Sequence, residues 1–324
     1  MTQNRMIWRA ACAAVVLGIA GGAPLAQDKV KVGVFPVSSS LPFFVAQERG
    51  FFKDQKIDAE LVRLIGGPPN VSALITNQID ASAVLVTIEG MNANLKKPGV
   101  AMYLSINGQN AQYQMEQFVV RKCLAVRSLA DLKGKKIMSA PGPANVSMAK
   151  AVLAVAGLKE GDYTIDQLDM GQHVNAMTAG TFDAGYTLEP NASTMRKLGV
   201  ATTLEAGVIA KYILGDPKAN AWVAGGVVSS DFVKNRPDAA KRFAAAWAQA
   251  IDFINANPKE ARKHLLKNTF TPDDVVDTVP LVKFTNVADL SNNDRLEFQA
   301  FIDYSTRLGT LPERVEVTKY LLRF

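Results

Sequence analysis

Two segments of this chain repeat one another, and this repeat constrains the fold more than any other feature. Residues 71–81 read VSALITNQIDA and residues 174–184 read VNAMTAGTFDA, which places Asp183 103 residues after Asp80. Apolar side chains at i and i+3 predict a short helix with one buried stripe in each segment. Asn77 and Gly180 tolerate the left-handed backbone of a helix end, and the apolar runs that follow are typical of buried parallel strands. The repeat therefore predicts two similar α/β lobes with a ligand cleft between them.

Short apolar strands alternate with helices on both sides of a break at residues 107–110. The predicted strands are residues 30–35, 57–64, 82–88, 100–106, 117–121, 135–139, 165–170, 185–188 and 221–229. This alternation is typical of βαβ units and parallel sheets. It predicts an α/β fold in which each lobe is a mostly parallel sheet flanked by helices, and segments 117–121 and 221–229 are two hinge strands.

The last hundred residues look helical and complete one of the lobes. Helices are predicted at residues 238–257, 258–267 and 294–308, and Pro237 suits a first helical position. We expect no strand after Ser230 and expect these helices to pack on the first lobe. The predicted division is residues 27–108 with 226–324 for lobe 1, and residues 109–225 for lobe 2.

The N-terminus has the pattern of a secretory signal peptide. Arg5 and Arg9 precede an apolar stretch at residues 10–20, and small residues follow up to Ala26. The apolar stretch is about half the roughly 20 residues that span a bilayer, which disfavours the alternative of a permanent anchor. We expect cleavage after Ala26, with a cut nearer Ala20 as the alternative, and a secreted mature protein.

The net charge and the cysteine and histidine content limit the ligands and metal sites that this chain can have. The net charge of +6 becomes +4 without Arg5 and Arg9, since residues 1–26 contain no acid. A modest positive balance suits an anionic ligand but is too scattered to indicate nucleic acid. Cys123 is the one cysteine outside the signal segment, so we expect a free, buried thiol and no internal disulfide. With two histidines in the chain, a Cys/His zinc site has too few ligands, and no cofactor is expected.

Three loops rich in glycine, proline and serine connect the end of a predicted strand to the start of a helix. They are residues 38–42, 66–70 and 141–147. In open parallel sheets this edge binds ligands, and helix N-termini there favour anions. Asn145 and Ser147 offer additional donors. The alternative is that Ser40, Asn70 and Asn145 only cap helices.

Five further residues lie on the same predicted edge, each with a structural alternative. Thr87 and Tyr186 follow or lie within the repeated strands, although Tyr186 also fits a buried core ring. His173 is either a ligand contact or a capping or surface residue. Glu189 is either a hydrogen-bonding ligand residue or a helix-start acid. Trp222 either stacks on a ligand or packs at the hinge.

Enzyme motifs are missing from the sequence. It contains no phosphate-binding loop, dinucleotide fingerprint, nucleophile elbow or paired-histidine metalloprotease motif. With two histidines and one thiol in the mature chain, this favours a binding protein over an enzyme.

Three motifs also carry a family resemblance. They are LPFFVAQERGFF at residues 41–52, DLKGKKI at residues 131–137 and FDAGYTLEP at residues 182–190. Together they resemble the nitrate/sulfonate/taurine branch of the periplasmic solute-binding proteins of ABC importers, which is similar in fold to the thiamine-pyrimidine synthases. The resemblance covers roughly residues 29–257.

The resemblance implies a type II-like, two-lobed binding protein that closes on its ligand and delivers it to an ABC permease. By position, the ligand loops would be residues 38–41, 66–70, 86–87 and 142–147 and the stretch through Glu189. The complete set of candidate ligand residues is Ser39, Ser40, Leu41, Phe43, Gly67, Asn70, Thr87, Gly142, Asn145, Val146, Ser147, His173, Tyr186, Glu189 and Trp222.

We expect a monomer that binds a small organic anion, either a sulfonate or an aromatic or aliphatic carboxylate. These loops contain no arginine, which leaves a pyrimidine open as an alternative ligand. The alternative functions are an enzyme resembling the thiamine-pyrimidine synthases and a ligand-sensing partner of a membrane receptor. The export signal and the lack of a cysteine-rich segment disfavour the enzyme.

Overall fold

The computed structural model describes residues 27–324, so the predicted signal peptide lies outside the described residues. Within this range the strands form one sheet of seven strands and one of five. The strands are β1 (Asp28–Val34), β2 (Ile57–Arg63), β3 (Ala81–Val86), β4 (Met102–Tyr103), β5 (Ser105–Gln109), β6 (Glu116–Arg121), β7 (Lys136–Ser139), β8 (Thr164–Gln167), β9 (Ala184–Leu188), β10 (Ala201–Ala206), β11 (Ala221–Val228) and β12 (Lys283–Asn286).

Helices connect and cover these strands. They are α1 (Leu41–Glu48), α2 (Phe51–Asp54), α3 (Gly67–Ile75), α4 (Thr87–Lys96), α5 (Pro143–Val155), α6 (Met170–Thr178), α7 (Asn191–Lys197), α8 (Ser230–Asn235), α9 (Pro237–Ala256), α10 (Pro258–Arg262), α11 (Leu266–Thr269), α12 (Asp273–Val276) and α13 (Asn292–Arg307). Proline in the first turn of α1, α3, α5, α9 and α10 fixes where these helices begin. Across residues 27–324, no helix combines the length and hydropathy needed to cross a membrane.

The two sheets share a parallel core with the same strand order. The larger sheet runs β12-β5-β11-β3-β1-β2, with β4 pairing to β11, and the smaller runs β10-β6-β9-β7-β8. β1 is parallel to β2 and β3, and β7 is parallel to β8 and β9. The remaining pairs are antiparallel, so both sheets are mixed. This confirms the predicted two-lobed α/β fold, with mixed sheets where we expected mostly parallel ones, because β11 and β6 pair antiparallel with the parallel cores. We call the larger sheet with its helices lobe 1 and the smaller sheet with its helices lobe 2.

The sequence repeat is a structural repeat. Helices α3 and α6 each have nine residues, and they begin and end at the offset seen in the sequence. Asn77 at φ +56° and Gly180 at φ +72° adopt the left-handed backbone after these helices. Strands β3 and β9 follow, and they pair in parallel with β1 and β7, the central strands of the two parallel cores. The repeated unit therefore builds the same part of each lobe.

The chain crosses between the lobes twice, through residues 110–115 and 207–220. Strand β6 pairs within lobe 2 and β11 pairs with β3, β4 and β5 of lobe 1. The predicted boundary at residues 225 and 226 therefore falls inside β11. Gly225 lies where a Cβ would come within 2.1 Å of the Ser105 carbonyl oxygen, so the return strand needs glycine there.

The C-terminal segment packs on lobe 1 and adds a strand to it. Helix α9 lies against α1 and α2, and Trp247 Nε1 donates a hydrogen bond of 3.0 Å to Ser105 Oγ. Our expectation of no strand after Ser230 is wrong, because β12 pairs antiparallel with β5. At four residues, β12 is too short for its alternation to be recognised in the sequence.

The expected buried thiol is also wrong. Cys123 is a free and exposed cysteine. It follows β6 in a turn with φ +79°, which directs the chain away from the sheet. Its surroundings are those of a surface turn and not of a core.

Candidate functional site

The lobes enclose a small cavity where the carboxyl ends of their parallel strands meet. This cavity has a volume of about 30 Å³. A second cavity of about 10 Å³ lies beside it and shares four lining residues with it: Val86, Glu116, Asn145 and Val223. The larger cavity is also lined by Phe35, Val37, Ser39, Gly66, Gly67, Val84, Asn107, Gln109, Met115, Leu188, Ala224 and Val282.

Direct contacts hold the lobes together around these cavities. The backbone N–H of Ser38 in lobe 1 donates to the carbonyl oxygen of Glu189 in lobe 2 over 3.2 Å. On the surface, Lys197 Nζ of lobe 2 lies 3.2 Å from Asp274 Oδ2 of lobe 1. The structure is thus a closed conformation of a two-lobed protein.

The cavity volumes show that closure is tight. A volume near 30 Å³ is far below the roughly 300 Å³ at which pockets for small organic ligands begin. A wider groove of about 590 Å³ lies between the lobes, with Arg63 and Ile65 on one side and Met170 and Asn191 on the other. Phe35 lines both this groove and the larger cavity. A ligand larger than water therefore requires the lobes to separate.

Glu89, in the first turn of α4, places its carboxyl against the other lobe. A Cβ built on Gly67 would lie 1.2 Å from Glu89 Oε2, and one built on Gly142 would lie 3.2 Å from Glu89 Oε1. Burial raises the pKa of Glu89 to about 7, and the backbone N–H of Ala144 partly offsets this rise. Within the described chain neither carboxylate oxygen completes a hydrogen bond, although both are buried.

The Glu89 carboxyl lies where three helices begin. Gly67 starts α3, Gly142 and Ala144 bracket the start of α5, and Glu89 itself is in the first turn of α4. Helix N-termini present unpaired N–H groups and a partial positive charge. The loops at residues 66–70 and 141–147 do converge as the sequence suggested, and the anion at their junction is a side chain of the protein.

Glu116, the first residue of β6, is a second acid at the same place. It lines both cavities and is 5% exposed. Burial raises its pKa to about 7, and the side chain of Gln109 partly opposes the shift. Its Oε2 has no hydrogen-bond partner in residues 27–324. Two carboxyl groups with raised pKa values therefore flank the cleft.

Further buried polar atoms around the cleft also lack partners among the described residues. They are Asn107 Oδ1, the Tyr186 hydroxyl and Trp222 Nε1. No lysine or arginine is present among the described residues that line the two cavities. The lining of the two cavities consequently contains one acid, Glu116, and no base among the described residues.

Four of the predicted site residues line the cavities. Ser39 and Gly67 do so from lobe 1, and Asn145 and Tyr186 from lobe 2. Asn145 Nδ2 donates to the Pro141 carbonyl over 2.6 Å, which leaves its Oδ1 available. The Tyr186 ring packs on Phe118 at a centroid distance of 5.1 Å, and burial raises the pKa of its phenol well above the usual value.

The side chains of three predicted residues form hydrogen bonds within lobe 1. Ser40 Oγ donates to the Phe35 carbonyl over 2.6 Å. Asn70 donates to the Gly66 carbonyl over 2.7 Å and accepts from Ser82 Oγ over 2.9 Å. Thr87 Oγ1 donates to the carbonyls of Trp222 and Val223 over 2.9 and 3.0 Å. These residues position the cleft loops, and Thr87 ties α4 to the return strand β11.

Glu189 is fully engaged within lobe 2. Its Oε1 accepts from Gln117 Nε2 over 2.5 Å and from Arg196 Nη2 over 3.0 Å. Its Oε2 accepts from the Ser193 backbone over 3.0 Å, in the first turn of α7. The carboxylate therefore acts as a helix-start acid, while its backbone carbonyl bonds Ser38 across the cleft.

His173 is a core residue. Its two ring nitrogens lie 2.8 Å from Thr187 Oγ1 and 3.0 Å from the Leu168 carbonyl oxygen. Burial lowers the pKa of His173 to about 4, so the ring is neutral at ordinary pH. It joins β9 to the loop before α6 and does not line either cavity.

The remaining predicted residues lie behind the cavity walls or beside them. Leu41 and Phe43 are buried in the hydrophobic core of lobe 1. Gly142 has φ +104°, and its N–H donates to Gln167 Oε1 over 2.8 Å. Val146 and Ser147 are half-buried in α5. Trp222 is buried in β11, with Lys283 Nζ 5.1 Å from its ring centroid.

Sequence reasoning missed the two acids. The search followed loops directly after predicted strands, whereas Glu89 lies one turn into a helix and Glu116 begins a strand at the crossing. Each does leave a signal, because Glu89 closes the apolar run 82–88 and Glu116 precedes Phe118 and two valines. An acid next to a buried apolar run tends to be buried with it, and burial of a charged side chain costs free energy unless another group pairs with it. Across residues 27–324, no group of three or more His, Cys, Asp or Glu side chains could hold a metal ion.

Known proteins resemble this chain in sequence and in fold. A family profile described as NMT1/THI5 like matches residues 38–261. A binding protein of Brucella abortus (strain 2308) is 26% identical over 217 residues, which are 67% of this chain. The aligned region spans 64% of the length of that relative. An aliphatic sulfonates-binding protein of Bacillus subtilis (strain 168) is 25% identical over 243 residues, covering 72% of this chain and 67% of that protein.

The fold also matches a solved structure of a binding protein. The alkanesulfonate-binding protein SsuA from Xanthomonas axonopodis pv. citri, bound to MOPS, superposes with a TM-score of 0.72 at 22% identity. The match covers 93% of this chain and 100% of that one. This chain therefore has the two-lobed α/β fold of the periplasmic binding proteins. Since the profile spans most of the sequence, the chain belongs to the NMT1/THI5-like family, which confirms the predicted resemblance.

Proposed function

We propose that this protein is the solute-binding component of an ABC importer, exported to the periplasm, where it carries a small organic molecule to a membrane permease. One observation carries the proposal: the walls of the cleft come from both lobes, and they hold buried polar atoms that have no partner within residues 27–324. Such atoms are rare in native structures unless another group completes them. A ligand enclosed between the lobes would complete them.

Closure gives this proposal a mechanism. The contacts from both lobes around one cavity stabilise the closed state when a ligand supplies the missing bonds. In the open state the same atoms face water, so the unpaired groups favour opening when no ligand is bound. The balance between the two states would signal to the permease whether the protein is loaded. A monomer suffices for this cycle.

We propose binding and not catalysis. Cys123, the one thiol in the described chain, is exposed on a turn after β6. The His173 ring is held by Thr187 and by the Leu168 carbonyl. These are the side chains that nucleophilic or general-base chemistry would use first, and both lie outside the lining of the cavities.

The small organic anion predicted from the sequence rests on the helix N-termini at the cleft. Relatives whose names mention sulfonates give it support. The position of Glu89 opposes it, because a carboxyl of the protein already lies where α3 and α5 begin. An anion would fit this site only with both acids protonated or with Glu89 displaced.

The experiment that tests the function uses the mature protein, residues 27–324, purified and then denatured to release bound small molecules. The proposal predicts that mass spectrometry of the released fraction finds one enriched compound. Adding that compound back to ligand-stripped protein should raise its melting temperature and reduce its radius of gyration. If stripped protein shows neither change with the released fraction or with a small-molecule extract of its source cells, the proposed function is wrong.

A further inference from the structure

The buried polar atoms without partners at the cleft are mostly hydrogen-bond acceptors. In the cavity lining, Glu116 contributes one acceptor oxygen and Asn107 contributes its amide oxygen; Glu89, beside the lining at Gly67, contributes two more. Among the described residues, the unpaired donor Trp222 Nε1 belongs to β11, and Trp222 lines neither cavity. The Tyr186 hydroxyl can serve in either role. A ligand that completes this set must therefore bring mostly donors.

Charge points the same way as hydrogen bonding. Glu116 is 5% exposed and lines both cavities, and no described lysine or arginine lines them. An ionised carboxylate removed from water without a partner is strongly unfavourable. A cationic ligand offsets this cost, whereas an anionic ligand adds to it.

The place that would bind an oxyanion is already taken. Glu89 Oε2 lies against the Cα of Gly67 at the start of α3, and Oε1 faces Gly142 at the start of α5. These are the N–H-rich helix ends that attract anions. The Glu89 carboxyl supplies that negative charge from within the chain. The space beside these helix ends therefore faces an acidic side chain and not a basic one.

From these observations we infer that the ligand is a small organic cation rich in N–H donors, of the amidinium or guanidinium type, with Glu116 as its counter-ion and Glu89 as the second acid of the site. This inference rests on the proposed binding function and specifies its substrate class. The N–H groups of such a cation pair with carboxylate oxygens, and its flat apolar part suits walls made by Val86, Met115 and Val223.

The test compares three probes of nearly the same shape: benzamidinium, benzamide and benzenesulfonate. Their affinities for the mature protein are measured by calorimetry at pH 8, together with butylguanidinium and butanesulfonate as an aliphatic pair. We expect each cation to bind at least about tenfold more tightly than its neutral or anionic counterpart. Glu116→Gln should weaken cation binding by about tenfold or more, and the exposed-site control Glu160→Gln should not change it.

The pH dependence separates a cation from an anion held by protonated acids. The titratable groups that sense the two acids are the buried phenols of Tyr103 and Tyr186, which stay neutral because their pKa values lie well above the usual range. Affinity for a cation should rise between pH 6 and pH 8 as the acids ionise. An affinity that falls over this range, or a sulfonate that binds as tightly as the amidinium, overturns the inference.

A failure of the inference about the ligand can be told apart from a failure of the proposed binding function. If none of these probes binds, the charge of the compound released from the purified protein decides the matter. A released cation supports the inference. A released anion leaves the protein a solute-binding component and overturns the inference about its ligand.

Discussion

The backbone N–H of Ser38 donates to the carbonyl oxygen of Glu189 across the cleft, over 3.2 Å. Ser38 follows the first strand of lobe 1, and Glu189 follows β9, the third strand of the matching parallel core in lobe 2. The strand ends of the two lobes thus touch through main-chain atoms. The side chains of the two residues remain free for other roles, and in Glu189 that role is structural.

Glu189→Ala should destabilise lobe 2. The change removes the acceptor of three hydrogen bonds and leaves Gln117 and Arg196 without it. Since hydrogen bonds to charged groups contribute about 1.5–3 kcal/mol each, we expect a loss of about 3 kcal/mol in the free energy of unfolding, measured in urea. Glu160→Ala, which removes a surface carboxylate paired with Lys150, should change stability little. Equal stabilities for the two variants would contradict this role.

Gly67→Ala should push the Glu89 carboxyl away from the start of α3. The new Cβ would lie 1.2 Å from Glu89 Oε2, and overpacking of this kind costs about 1–3 kcal/mol. Gly171→Ala, in the matching helix α6, meets no atom within 4 Å and should be neutral or slightly stabilising. Thermal unfolding measures both effects.

A double-mutant cycle then isolates the contact. Glu89→Ala removes the clashing atoms, so Gly67→Ala should cost much less in that background. Strict additivity of the two substitutions would show that the Glu89 carboxyl does not lie against α3 in solution.

The stability of the protein should depend on pH through Glu116. Its pKa is about 7 in the folded state against 4.5 normally, so the folded protein binds the proton more tightly than the unfolded chain does. The free energy of unfolding therefore falls as pH rises from about 4.5 to about 7, by about 3 kcal/mol. Glu116→Gln should remove this part of the decline and be the more stable protein at pH 8. Parallel pH profiles for the wild type and the variant would rule out a buried, raised carboxyl.

Asn145→Ala and Asn70→Ala should separate binding from folding. Asn145 lines both cavities and makes one side-chain bond, to Pro141, so its loss should weaken ligand binding and cost about 1 kcal/mol of stability. Asn70 bonds both Gly66 and Ser82, and its loss should cost about 2–3 kcal/mol. Ligand calorimetry on both variants, with urea unfolding, gives the comparison. The reverse order of stabilities would refute these assignments.

The fold was largely predictable because its signals are local. The repeat around Asp80 and Asp183 reports a helix, its left-handed end and the next strand within eleven residues. Proline at the start of α5 and α9 marks helix beginnings in the same direct way. Strand β12 was missed because its four residues acquire their strand conformation from β5, which is distant in the chain. Phe284, for example, pairs with Asn107, 177 residues earlier.

The site was less predictable, because hydrogen-bond partners are a property of the folded chain. Asn70, Glu189 and His173 have the right residue types at the right edge, and only the structure shows that their polar atoms bond to the protein. Glu89 and Glu116 are ordinary acids in the sequence. Their significance arises from burial without partners, which no pattern of neighbours along the chain encodes.

The matching strand orders of the two lobes also bear on how a ligand is oriented. At the repeat offset of 103 residues, Glu89 in α4 corresponds to Ala192 in α7. The acid therefore has no equivalent in lobe 2. The second acid, Glu116, begins β6 of lobe 2 and lies outside the repeat, so the duplicated framework carries its two acids in unequal positions. A ligand with one polar end and one apolar end could enter such a cleft in two directions, and we expect the unequal placement of the two acids to favour one of them.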